Sequence, residues 1–254
     1  NQNIANQNVQ KLRVSDEVQL DEDVTQTRLS MQHLKIAKQN YDKDAKRRFV
    51  LIIPLTPETS FKVKSGWGTG AERALMCVIL CRMPEFAQYK GALEANLKKG
   101  IQRVDRWKDL LKEYGAEVDE ARRVSHERYP VDFCDQLRQS KEKDIGRLVR
   151  QIVGELPVDK ATDGDPIQGL RFLFASESAR MMKPDLVIMD EFQRFRFLIN
   201  SKATSEAGII ASEFLSGKHD DEHQKTRVLL LSATPYKLYS TPGEISECER
   251  DDQY

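Results

Sequence analysis

Residues 184–194 read Pro-Asp-Leu-Val-Ile-Met-Asp-Glu-Phe-Gln-Arg. Leu186 to Met189 is a short unbroken apolar run, the pattern of a parallel strand buried on both faces. Asp190 and Glu191 follow at once. In open α/β sheets ligands sit outside the carboxyl ends of the strands, where the loops leave a crevice. A second run, Val228 to Leu231, ends in Ser232-Ala233-Thr234-Pro235. One acidic strand end means little, because acids often solvate the turn after a strand. Two neighbouring strands, one ending in an acid pair and the other in hydroxyls, define a polar edge with a chemistry of its own.

The composition around this stretch is that of a soluble, surface-rich α/β chain. It has 254 residues, with 39% apolar and 31% charged, enough for one large or two modest domains. Forty basic and forty acidic residues cancel. Any attraction to nucleic acid therefore has to come from local patches and backbone amides. The longest apolar run, Ala74 to Cys81, is eight residues and too short to span a bilayer. Cys77, Cys81, Cys134 and Cys248 form no CxxC pair, and Cys77 and Cys81 share a helical face. This usage reads as reduced thiols in a cytoplasmic protein. The chain opens Asn-Gln-Asn without methionine, which reads as an internal fragment.

Between residues 70 and 183 the pattern is helical. Leu75, Val78, Ile79 and Met83 make one stripe, and Val104, Trp107, Leu110 and Leu111 another. Further helices are expected over Val118–Ser125, Val131–Leu137, Ile145–Leu156 and Ile167–Ala179, with Leu29–Lys38 as a short one earlier. Pro84, Gly100, Gly115, Pro130 and the stretch Pro157–Pro166 punctuate them. The basic residues here, among them Lys98, Lys99, Arg103, Arg122, Arg123, Arg147 and Arg150, read as solvated helix faces. Gly66-Trp67-Gly68-Thr69-Gly70 reads as a flexible loop, because its spacing fits neither GxGxxG nor GxxxxGK[ST]. No Walker A sequence occurs; Gly217-Lys218-His219 lacks both the hydroxyl residue and the earlier glycine, which is Ser212. His219-Asp220-Asp221-Glu222-His223 spells HxxEH, but an acid-saturated stretch after Gly217 reads as a polar loop rather than a zinc helix.

The spelling Asp190-Glu191-Phe192-Gln193-Arg194-Phe195 together with Ser232-Ala233-Thr234-Pro235-Tyr236-Lys237 resembles motifs II and III of superfamily-2 helicases and translocases. It looks most like the DEFQ-box bacterial helicase-related proteins. The resemblance implies an α/β, RecA-like (P-loop NTPase) parallel sheet that lacks its amino-terminal P-loop part and carries a large helical insertion. It divides the chain into residues 1–69, the first RecA-like part; 70–183, the insertion; and 184–254, the second part with an exit segment. The distance from Pro57 to Asp190 leaves room for an insertion of roughly one hundred residues.

Further roles follow from the same resemblance. Residues 1–14 correspond to motif Ia, with Asn1, Ile4, Ala5 and Gln7 in register, and Asn1, Asn3 and Gln7 as nucleic-acid contacts. The strand Phe49–Leu55 ends in Thr56-Pro57-Glu58-Thr59-Ser60, similar to motif Ib, so Thr56, Thr59 and Ser60 join those contacts. The family's glycine and arginine after Thr-Pro are Glu58 and Thr59 here. ATP and Mg²⁺ are the implied cofactors. Asp190 holds the metal through water and Glu191 activates the attacking water. Gln193, Ser232 and Thr234 couple nucleotide state to nucleic-acid grip. The implied partners are nucleic acid, DNA ahead of RNA, and the missing P-loop segment and second RecA-like domain of the same parent chain, with no membrane. The expected function is an ATP-dependent nucleic-acid helicase or translocase, of which this chain alone is inactive. The alternative is a non-catalytic RecA-like module that binds nucleic acid or recruits partners. A metal hydrolase using Asp190, Glu191 and His219 or His223 is a remote third.

Overall fold

The computed structural model describes residues 28–40, 53, 55, 60, 66–101, 103–159, 164–190, 206–216 and 226–231. The chain divides into two units, Asn1–Met182 and Lys183–Tyr254.

The first unit is helical. A 3-10 turn, Leu29–Met31, leads into α1 (Gln32–Asn40), which is followed by α2 (Gly70–Leu80), a 3-10 segment Pro84–Tyr89 and α3 (Lys90–Leu97). Next come α4 (Val104–Val124), α5 (Val131–Gln139), α6 (Ile145–Val153) and α7 (Pro166–Met182). The core is built around α7, which meets the 3-10 turn, α1, α5 and α6. From Ile167 to Ala179 nearly every α7 residue is buried, the mark of a helix enclosed on all sides. Asp165 fixes its start: one carboxylate oxygen accepts from the amides of Ile167 (2.8 Å) and Gln168 (3.3 Å). The other accepts from the Trp67 indole at 2.7 Å, tying the glycine loop to the central helix.

The remaining helices carry similar local signals. Thr69 caps α2, its hydroxyl accepting from the Glu72 amide at 3.2 Å. Asp144 caps α6 at Gly146 and Arg147, and Gly154 closes it at φ +86°. In α4, Trp107, Leu110, Tyr114, Val118 and Ala121 form one buried stripe, with charged residues on the other side.

Gly115 does not break α4 as expected; the helix runs through it for 21 residues. The stripe continues unbroken on both sides, and packing against α1 and α2 outweighs the roughly 1 kcal/mol intrinsic penalty of a helical glycine. Leu29–Lys38, read with the amino-terminal sheet part, is the helix expected, but it packs on α4 and α7 of the helical unit. The apolar residues Leu29, Leu34, Ile36 and Ala37 explain this, since all are buried.

Polar groups are enclosed in this core. The His33 ring stacks on Phe133 at 3.9 Å between centroids and lies 2.9 Å from the Tyr129 hydroxyl. Full burial pushes the imidazole down to about 3 and the phenol well above its ordinary range. Near the start of α2, Glu72 pairs with Arg171 (3.1 Å) and Arg28 (3.4 Å), and accepts from Ser30 at 2.5 Å. Glu72 and Arg171 are both buried.

The second unit contains β1 (Leu186–Asp190), α8 (Glu206–Ser216) and β2 (Arg227–Leu231). The strands pair in parallel, with Leu186 opposite Arg227 and Asp190 opposite Leu231. The molecule thus combines a predominantly helical body with a two-stranded parallel sheet. The strands differ from the expectation of burial on both faces. Val187 is buried, whereas Leu186, Ile188 and Val228 through Leu231 are all exposed by more than 40%. Burying both faces requires flanking strands and covering helices, and among the described residues the sheet has two strands. Ile53 and Leu55, from the third expected strand, are half-buried and assigned to neither helix nor strand. Among the described residues no helix is long and apolar enough to cross a membrane.

Candidate functional site

Parallel pairing sends both strands out of the sheet at the same edge. A parallel ladder holds adjacent strands ~4.8 Å apart, and here Asp190 and Leu231 are partners in the last rung. One residue further along the chain come Glu191 and Ser232. A slip of several residues, or an antiparallel pairing, would separate the acidic and hydroxyl ends. The in-register parallel arrangement brings Asp190 level with Leu231. Two features of the sequence account for it. The runs are equal in length, and the connection between them includes α8, long enough for the crossover that parallel strands require. In α8, Gly208, Ile210, Ala211 and Phe214 are buried at helical spacing. Arg227 begins the ladder by donating its amide to the Asp185 carbonyl at 3.0 Å.

Asp190 is therefore placed at the carboxyl end of a strand, its backbone in the ladder. Glu191, Gln193, Ser232 and Thr234 lie outside the described residues, as do Asn1, Asn3, Gln7, Thr56 and Thr59. Of the hydroxyls expected to meet nucleic acid, Ser60 alone is described, and it is 2% exposed. The residues of the HxxEH spelling also fall outside the described set. Among the described residues no three His, Cys, Asp or Glu side chains gather as a metal site. One carboxylate at a strand end still suits magnesium, which keeps most of its water and takes one or two protein oxygens.

The cysteines behave as packed thiols. Cys77, Cys81 and Cys134 are free, and the Cys77 and Cys81 sulfurs are 3.9 Å apart on one face of α2. Their hydrogen bond and burial raise the Cys77 thiol, while the same bond lowers Cys81. Of the basic residues read as solvated faces, Lys99, Arg103, Arg122, Arg123, Arg147 and Arg150 are exposed and Lys98 is half-buried. The sequence reading passed over Arg73 and Arg171, which are buried. The signal lay in their neighbours: each interrupts an apolar helical run, Arg73 before Ala74-Leu75-Met76 and Arg171 between Leu170 and Phe172.

Compared with protein-family models, with curated proteins and with solved structures, the chain finds no match.

Proposed function

We propose that this chain is part of an ATP-dependent nucleic-acid helicase or translocase, contributing the magnesium- and water-handling edge of a RecA-like domain. One observation carries the reading: the in-register parallel pairing of Leu186–Asp190 with Arg227–Leu231, one strand ending in the first acid of the pair and the other followed in the sequence by the hydroxyls. In this reading Asp190 holds water-coordinated Mg²⁺, and Glu191 orients and deprotonates the water that attacks the γ-phosphate. Gln193 cannot ionise, but its amide both donates and accepts. It links the acid pair to Ser232 and Thr234, so that nucleotide state reaches the nucleic-acid surface. ATP with Mg²⁺ supplies the charge and the leaving group; the chain's residues position and deprotonate.

A second reading is a RecA-like module without catalysis, favoured by the lack of GxxxxGK[ST] anywhere in the 254 residues. The two separate on one assay of the full-length polypeptide in which this chain occurs. The motor hydrolyses ATP with Mg²⁺ and is stimulated by DNA. The module binds DNA and leaves ATP intact.

A further inference from the structure

The carboxyl end of α2 carries two free thiols that the strand-edge reading does not use. Cys77 and Cys81 stand one turn apart on one helical face, with their sulfurs 3.9 Å apart and in hydrogen-bond contact. Their surroundings differ. Cys77 is 2% exposed and belongs to the apolar core, whereas Cys81, the residue that caps the helix, is half-buried. Burial disfavours a charged thiolate, so the enclosed sulfur keeps its proton and donates it to the one nearer water. A thiolate forming at Cys81 therefore meets a donor already in place. Of the charged groups around it, Lys90 and Arg82 favour that thiolate and Glu94 opposes it. The Cys77 hydrogen bond is the largest influence holding the Cys81 thiol below its ordinary value. A partly exposed thiol with a donor and cations beside it is the environment in which cysteines react.

A second thiol this close would ordinarily resolve an oxidised one into a disulfide. The backbone opposes that here. Cys81 has helical angles, φ −67° and ψ −13°, and its amide donates to the Cys77 carbonyl at 2.9 Å. Residues four apart on a helix hold their Cβ atoms roughly 5–6 Å apart, and a disulfide needs about 3.5–4.5 Å. Closing the bridge would break that backbone bond and unwind a turn flanked by Leu80 and Met83, both buried.

We propose that Cys81 is a site of S-thiolation, forming a lasting mixed disulfide with a small-molecule disulfide such as oxidised glutathione, with Cys77 as its hydrogen-bonding partner and not its resolving thiol. The Cys81 thiolate attacks one sulfur of the small disulfide. A new S–S bond forms, the old one breaks, and the departing thiolate takes a proton from water. The chain's sulfur is oxidised and the leaving half is reduced, so the electrons balance. Excess small thiol reverses the step.

The test treats the reduced, folded 254-residue chain with oxidised glutathione and reads intact mass, then peptide masses. Cys248, outside the described residues, is replaced in a Cys248→Ser background, leaving Cys77, Cys81 and Cys134. One glutathionyl group on Cys81 is expected, with Cys77 and Cys134 unmodified. Loss of two hydrogens without an adduct would mean a Cys77–Cys81 disulfide and overturns the proposal. An adduct on another cysteine ahead of Cys81, or none on the folded chain, overturns it too. The pH dependence of Cys81 alkylation by iodoacetamide reads the hydrogen bond. Its midpoint should lie lower in the folded chain than in the same chain unfolded in urea. Cys77→Ala should raise the midpoint by up to about one pH unit, the loss of one hydrogen bond. Cys77→Ser, which keeps a donor, should leave it low. A midpoint that is no lower on folding, or that Cys77→Ala does not move, contradicts the assigned partnership. None of these outcomes depends on ATP turnover.

Discussion

At the scale of single residues, the structure turns on polar groups closed into an apolar body. His33 is the sharpest case. With its pKa pushed from 6.5 to about 3 by burial, the folded chain holds it neutral while the unfolded chain protonates first. Its contribution to stability is complete above pH 6.5 and is lost as pH falls from 6.5 towards 3. At ~1.4 kcal/mol for each pH unit between those values, the loss approaches the order of 5 kcal/mol. Thermal melts between pH 7 and 4 should therefore fall more steeply for the wild-type chain than for His33→Gln, which cannot titrate. Parallel slopes would contradict neutral burial. Glu72 is the other case. Glu72→Ala leaves Arg171 enclosed without its carboxylate, an outcome that costs about 3–5 kcal/mol for a buried pair, measurable by urea unfolding. Neither residue stood out in the sequence. His33 sits in an ordinary amphipathic pattern, and Glu72 looks like any acid in the first turn of a helix. Their partners, Tyr129, Phe133 and Arg171, are distant in the chain, and spacing along one helix says nothing of contacts across three.

At the scale of elements, helices were readable where an apolar stripe was present. The stripe of Trp107 and Leu110 marks a helix that the structure contains, whereas the Asp144 cap and the Gly154 stop, which ends α6 short of the expected Leu156, went unread. The Gly66–Gly70 loop was not readable, because its shape depends on Asp165 and Arg171, a hundred residues away. Two substitutions separate these kinds of glycine. Gly115 lies in a helix and a Cβ there meets nothing within 4 Å, so Gly115→Ala should raise stability by about 0.5–1 kcal/mol. Gly68 has φ +75° and no room, so Gly68→Ala should lower it by about 1–3 kcal/mol. Equal effects of the two in denaturant titrations would contradict the assigned backbone geometry. The strands show the opposite limit of reading. Their existence and common direction follow from apolar runs joined by a helical crossover. Their exposure does not, since an apolar run specifies a preference for burial and not the layers that satisfy it.

At the scale of the whole molecule, the chain comprises a helical unit and a unit with a parallel strand pair. The helical unit encloses the polar groups of His33, Glu72 and Arg171. The other contains the parallel pair Leu186–Asp190 and Arg227–Leu231, followed in the sequence by the residues whose spelling resembles a helicase motor. An acid pair and a hydroxyl pair are visible as letters in the sequence, whereas helix packing and buried charge balance are not. The pairing of the two strands sets Asp190 beside Leu231 at the carboxyl end of the ladder. If Glu191 is the base that activates water there, its carboxylate is required for turnover and not for holding the nucleotide. The direct test is steady-state ATP hydrolysis by the full-length polypeptide with DNA and Mg²⁺, comparing wild type with Glu191→Gln. The account predicts that turnover falls by at least about a hundredfold, the usual scale of general-base catalysis, while ATP binding persists. Undiminished hydrolysis by Glu191→Gln would contradict it.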